Sequence, residues 1–97
     1  MQIITPADIT GDGAVHTLAS IPGAPKKCKW FQFTGLTIGS TPGRLGDANI
    51  STSRGITIPS GGGQVVYPIA IAMEFYDLTE IYYLLQSSDT AQAAFFV

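Results

Sequence analysis

The sequence predicts an all-β fold, a compact antiparallel sandwich or barrel of about seven short strands, in a single domain over residues 1–97. Three observations predict it. Eleven glycines and six prolines punctuate 97 residues, so turns recur at short intervals. Between them lie short runs rich in β-branched and aromatic residues, the composition of strands. No run except one follows a helical spacing, and the chain length fits one small domain with one core.

Taken in order, IIT near the start is a short first strand, and AVHTLA (14–19) and KCKWFQFTGL (27–36) follow. Then come GITI (55–58), GQVVYPI (63–69), EIYYLLQ (80–86) and AQAAFFV (91–97). In KCKWFQF the lysines share a parity with Phe31 and Phe33, while Cys28, Trp30 and Gln32 share the other. Neither face is wholly polar, which predicts one cover from the opposing sheet and another from a subunit. In AQAAFFV, Phe95 and Phe96 must point to opposite faces. The exception to strand spacing is LTEIYYLLQ, where Leu78, Ile81, Tyr82 and Leu85 fit a helix, while Ile81, Tyr83 and Leu85 fit a strand. Asp77 and Glu80 even imitate a capping box. The run is short, tyrosine-rich and bounded by the turn signal SSD, which favours the strand.

Composition narrows the function. Hydrophobic residues make up 45% and charged residues 12%, about half the charged share of ordinary soluble domains. A surface so poor in charge points to coverage by copies of itself or by a larger assembly. The formal charge of −2 with five basic residues argues against a nucleic-acid partner, which needs several cations on one face. Lys26, Lys27 and Lys29 form the one cluster, and at the start of a strand they read as a solvated edge that discourages aggregation. The longest apolar passage, Val65 to Met73, contains Pro68 and falls short of the roughly 20 residues a membrane span needs. MQIITPAD lacks the features of a signal peptide, so synthesis in a cytoplasm is expected.

Catalytic chemistry is poorly provided for. Cys28 is the one cysteine; flanking lysines would favour a thiolate, but a small buried hydrophobe is the better reading. His16 sits in an amphipathic strand with no sequence neighbour to orient it, which suits a core-edge or interface histidine. Glu74, Asp77 and Glu80 read as a solvated rim rather than an acid-base cluster. SGGGQ lacks the GK(S/T) ending of a phosphate loop and reads as a hairpin-like connection. DITGDG lacks the alternate acidic ligands of a calcium loop. NIS at 49–51 formally matches a glycosylation acceptor, an accidental match without a secretory signal. The expectation is no enzyme, no cofactor and no metal.

The polar passage GRLGDANISTSRGITIPSGGG (43–63) stands out in so apolar a chain. Arg44, Asp47 and Arg54 carry all its charge. Asp47 and Arg54 either pair to staple the loop or meet carboxylates and cations of a neighbour, since arginine makes planar bidentate contacts at interfaces. With Trp30, Phe95 and Phe96 they form the set of candidate interface residues.

The succession RLGDANISTSRGITIPSGGG, then VVYPIA, then EFYDLTEIYYLLQSSDTAQAAFFV resembles small structural proteins of tailed bacteriophages. The features carrying it are a G-D-(A/S)-N-(I/V)-S-x-(S/T)-R-G-I core, a glycine turn, a Y-D-L-x-x-I-Y strand and a short terminal strand. It covers positions 43–97; residues 1–42 match only in being β-prone. The resemblance implies a virion component, a capsid decoration or cement protein. Such a protein would form a homotrimer or homodimer and bind major capsid subunits at the capsid surface, with no nucleic-acid or membrane partner. A tail or fibre module that stacks host carbohydrate on Trp30 with Tyr67, Tyr76, Tyr82 or Tyr83 is the alternative, and a head-completion or connector protein is another.

Overall fold

The computed structural model describes residues 2–63, 65–66 and 75–97. Every strand pairing in it is antiparallel. Eleven strands appear where about seven were expected: β1 (Ile3–Ile4), β2 (Ile9–Thr10), β3 (Val15–Thr17), β4 (Lys27–Cys28), β5 (Trp30–Thr37), β6 (Gly43–Gly46), β7 (Ile56–Ile58), β8 (Val65–Val66), β9 (Tyr76–Asp77), β10 (Tyr82–Leu84) and β11 (Thr90–Phe96). The larger number has two physical sources. The run 27–36 breaks at Lys29, so that β4 leaves its sheet to pair with β9. In addition, β2, β6 and β9 are too short or too glycine-rich to announce themselves. Most of the expected strand 63–69 and the carboxylate Glu74 lie outside the described residues.

The larger sheet has the order β1-β11-β5-β8, with β2 beside β1 on the same edge of β11. The smaller has the order β3-β10-β6-β7. Alternation along β5 and β11 turns Phe31, Phe33, Ala91, Ala93 and Phe95 inward, all buried. From the other sheet Leu45, Ile58, Tyr83 and Leu85 meet them in one core. The Phe33 and Tyr83 rings lie 5.6 Å apart, a direct contact across the two layers of a sandwich. The pair β4-β9 closes one end, where Tyr76 packs edge-on to Phe31 at 5.6 Å.

The ambiguous segment resolves as β10, entered through a turn rather than a helix. Asp77 accepts hydrogen bonds from the Thr79 backbone N–H at 3.0 Å and the Thr79 hydroxyl at 2.5 Å. These bonds place Leu78, fully buried, under the sandwich. The run 14–19 is only half strand, because Leu18–Ser20 forms a 3-10 turn capped by the Thr17 side chain.

SGGG carries the chain from β7 in one sheet to β8 in the other. Gly61 N–H donates to the Ile38 carbonyl at 2.8 Å and Gly63 N–H to the Gly35 carbonyl at 2.6 Å. Gly62, at φ +77°, lies so close to the Leu36 carbonyl oxygen that a Cβ would stand 2.0 Å from it. Only glycine permits this left-handed close approach.

Candidate functional site

The two outer faces of the sandwich carry the residues singled out from the sequence. On the larger sheet the outward positions are Ile3, Thr10, Trp30, Gln32, Thr34, Thr37, Val65, Thr90, Gln92, Ala94 and Phe96. This assignment follows from strand register, since partners across a ladder share a face. None is charged. Ile3, Phe96 and Trp30 stand abreast on three adjacent strands, with the Trp30 and Phe96 rings 5.4 Å apart. Ile3 is 55% exposed and Val65 40%. Leu36, the extra residue where the register of β5 and β11 shifts, adds a further exposed side chain at the opposite end. Phe95 requires a correction: it is fully buried between the sheets, so it belongs to the core and not to any outer surface.

On the smaller sheet the outer face holds Val15, Thr17, Tyr82, Leu84, Arg44, Gly46 and Thr57. Leu84 is buried there, and so is Ile50, although neither belongs to the inter-sheet core. The polar passage 47–55 packs on this face through Ile50. A Cβ on Gly46 would come within 2.8 Å of Ile50 Cγ2 and one on Gly55 within 3.0 Å of the same atom, so these glycines are the floor and wall against which Ile50 packs. Arg44 lies across the same face. Its guanidinium donates to Thr57 Oγ1 at 2.9 Å, the Gly55 carbonyl at 3.1 Å and the Thr52 carbonyl at 3.2 Å. Its Nε is buried without an acceptor among the described residues, which offsets part of what those bonds contribute.

The proposed pairing of Asp47 with Arg54 does not form. Asp47 instead accepts from the Asn49 backbone N–H at 2.9 Å, an Asx turn that starts the loop. Arg54 is exposed, its backbone bridged to Ser51. Asp47, Asn49 and Arg54 edge an open cleft of about 300 Å³ whose floor is Leu45 and Ile50.

His16 has a partner that sequence reading missed. Its Nε2 lies 2.8 and 3.0 Å from the Asp12 carboxylate oxygens, and its ring stands 5.7 Å from Tyr83. The Ala14 backbone N–H, and then His16, hold the Asp12 carboxyl below its ordinary value. Burial, with the nearby Asp12 charge, pushes the Tyr83 hydroxyl up. Because the Asp12 pKa is depressed on folding, its contribution to stability is present above the ordinary carboxylate range and lost as pH falls through the folded value. The dyad pins β3 to the 11–14 turn and orients an imidazole, but no nucleophile joins it among the described residues.

Asp89, read only as part of a turn, is the one buried charged side chain among the described residues. Its carboxylate accepts from Gly39 N–H at 3.0 Å and Gln86 N–H at 3.2 Å, tying the turn before β11 to the turn after β5. Cys28 is buried, and desolvation pushes its thiol from 9.0 up to about 11 against a smaller opposing pull from the Trp30 backbone. Burial therefore outweighs the flanking lysines, and the thiol is unreactive at neutral pH.

Among the described residues, Tyr76, Tyr82 and Tyr83 do not gather with Trp30 into a sugar platform. Tyr83 is buried, Tyr76 packs on Phe31, and Tyr67 lies outside the described residues. Tyr82 and Trp30 stand on opposite outer faces. Among the described residues no helix is long and apolar enough to cross a membrane, and no group of three or more His, Cys, Asp or Glu comes together. No family model, curated protein or solved structure matches the chain.

Proposed function

We propose that this chain is a non-enzymatic structural protein of a tailed-bacteriophage virion, a capsid decoration protein that associates with itself and binds major capsid subunits at the capsid surface. The observation that carries this reading is the outer face of the larger sheet, which leaves Ile3, Trp30, Leu36, Val65 and Phe96 partly exposed, with no charged side chain at the paired outward positions among the described residues. Exposed apolar side chains on an uncharged sheet face of so small a domain support a contact site. The resemblance of residues 43–97 to phage structural proteins supports the setting, and the 12% charged content supports a largely covered surface.

Stabilisation of the particle would come from apolar area removed from water, at about 25 cal/mol per Å². Attachment at several points would slow release further, because each rebinding step is intramolecular. The test adds purified protein to capsids assembled without it and follows cosedimentation and capsid melting. Saturable binding with a raised melting temperature is expected. A folded protein that neither binds nor stabilises such capsids refutes the reading.

A further inference from the structure

We propose that the free edge of β2 takes up an extended segment of a different protein chain, which pairs with it as an added strand and seats one apolar side chain in the seam between the two sheets. The proposal takes nothing from the virion reading.

The backbone of the edge defines what can bind. Gly11 N–H donates to the Asp89 carbonyl at 2.8 Å, and Ile9 stands opposite Ala91 in the antiparallel ladder. Bonded and non-bonded pairs alternate in such a ladder, so Ile9 and Gly11 turn their backbone groups toward β11. The N–H and C=O of Asp8 and Thr10 therefore point away from β11, on the side where β2 pairs with no other strand among the described residues. These groups have no hydrogen-bond partner among the described residues. Donors and acceptors repeating at roughly 7 Å along a line, two residues apart, are the complement of another extended backbone.

A cavity of about 280 Å³ lies beside this edge, lined by β2, Ile21, Pro22 and Tyr83. Ile9, Ile21 and Tyr83 are buried, Tyr83 with 7% exposure. The Tyr83 hydroxyl makes no hydrogen bond among the described residues, so the cavity offers a polar partner as well as apolar walls. A dry cavity of about 150 Å³ holds benzene, which makes this one roomy enough for an aromatic or branched aliphatic side chain. Partners across a ladder share a face, so the incoming residue opposite Ile9 points inward, to this cavity. Main-chain pairing for affinity with a pocket for a side chain is how sheet edges recognise extended peptides.

The rim adds a preference. Asp8 is exposed and has the outward parity of Thr10, so a cation set opposite Asp8 gains a cross-strand charge pair. An antiparallel segment therefore reads polar, apolar, basic, opposite Thr10, Ile9 and Asp8 in turn. The site is short. Pro6 interrupts the edge between β1 and β2, and a Cβ on Gly23 would stand 4.0 Å from Pro6 Cβ, which brings the chain together just before β2. A second copy cannot supply the segment through its own β2, because its Ile9 is 8% exposed and already part of its own core, leaving the cavity unfilled.

The test titrates the intact, isotope-labelled chain by NMR with blocked pentapeptides Ser-Thr-X-Lys-Ser, X being Leu, Phe, Tyr or Trp. Saturable binding by at least one of them is expected, with shifts centred on Asp8, Thr10 and Tyr83. Ala at X should weaken binding about tenfold or more. N-methylation of the peptide Lys removes the donor to the Asp8 carbonyl and should weaken it about tenfold, whereas N-methylation of X, whose N–H faces away from β2, should change it less than about threefold. Asp8→Lys should weaken binding a few-fold, and Glu in place of the peptide Lys should restore it. Thr10→Pro, which removes an edge donor that β11 does not use, should abolish binding with circular dichroism unchanged; should it unfold the chain, the methylated peptides carry the same test. No saturable binding by any of the four peptides at about 1 mM overturns the proposal, as do shifts confined to the outer face of the larger sheet or equal affinity for the two methylated peptides. Self-association of the parent chain that the peptide abolishes identifies a second copy as the occupant and overturns it too. None of these measurements uses a capsid, so their failure leaves the virion reading untouched.

Discussion

The two outer faces of the sandwich begin from the same problem and solve it differently. Each carries apolar side chains on the side of a sheet away from the core. On the smaller sheet the chain folds its own 47–55 passage back, so that Ile50 packs on Gly46 and Gly55 and Arg44 holds the loop. On the larger sheet Ile3, Trp30, Leu36, Val65 and Phe96 remain partly exposed. The polar passage, which the sequence left as either stapled by Asp47 and Arg54 or turned toward a neighbour, is folded back on its own sheet and held by Arg44. Among the described residues the larger sheet carries no comparable loop on its outer face.

Substitutions can break or sharpen this contrast. The core beneath both faces sets the upper scale: Phe33→Ala removes a fully buried ring in contact with Tyr83 and should cost about 3–5 kcal/mol in urea unfolding. If the loop truly packs on its face, Ile50→Ala should cost about 2–4 kcal/mol, close to a core value, because Ile50 is only 5% exposed and its site is walled by Gly46 and Gly55. A loss below about 0.5 kcal/mol would show the passage to be ordinary solvated loop. The Trp30 end of the larger sheet can be read through Cys28. Its thiol is raised from 9.0 to about 11 on folding, so the stability it contributes is complete below pH 9 and lost as pH rises through 11. Cys28→Ala should flatten that alkaline limb of the melting profile. Smallest of all, Ile3→Ser on the open face should change the stability of the isolated chain by no more than about 0.5 kcal/mol.

Much of this was legible in the residues. Alternation along WFQF and AQAAFFV separated the two sides of the longest strands, because a strand's side chains alternate whatever surrounds them, but the grouping of Cys28 with Trp30 and Gln32, and of the lysines with Phe31 and Phe33, fails because the strand breaks at Lys29 and Cys28 enters the core from β4. It also set Phe96 opposite Phe95, but it could not say which of them enters the core. The lone cysteine read correctly as a buried hydrophobe. Strand β6 stayed hidden because Gly43 and Gly46 have little strand propensity; they are glycines because Ile58, Leu85 and Ile50 occupy the space of their missing side chains.

By itself, the sequence determined the all-β class, the turns and the two-sidedness of β5 and β11, all consequences of neighbours along the chain. Tertiary structure alone decided that Arg44 closes a hairpin, that Asp89 holds Gly39 fifty residues away, that Asp12 orients His16 across a turn, and which outer face carries a packed loop. These depend on how the chain doubles back on itself. Local periodicity constrains which side a residue faces, whereas what stands opposite it is set by the packing of distant segments.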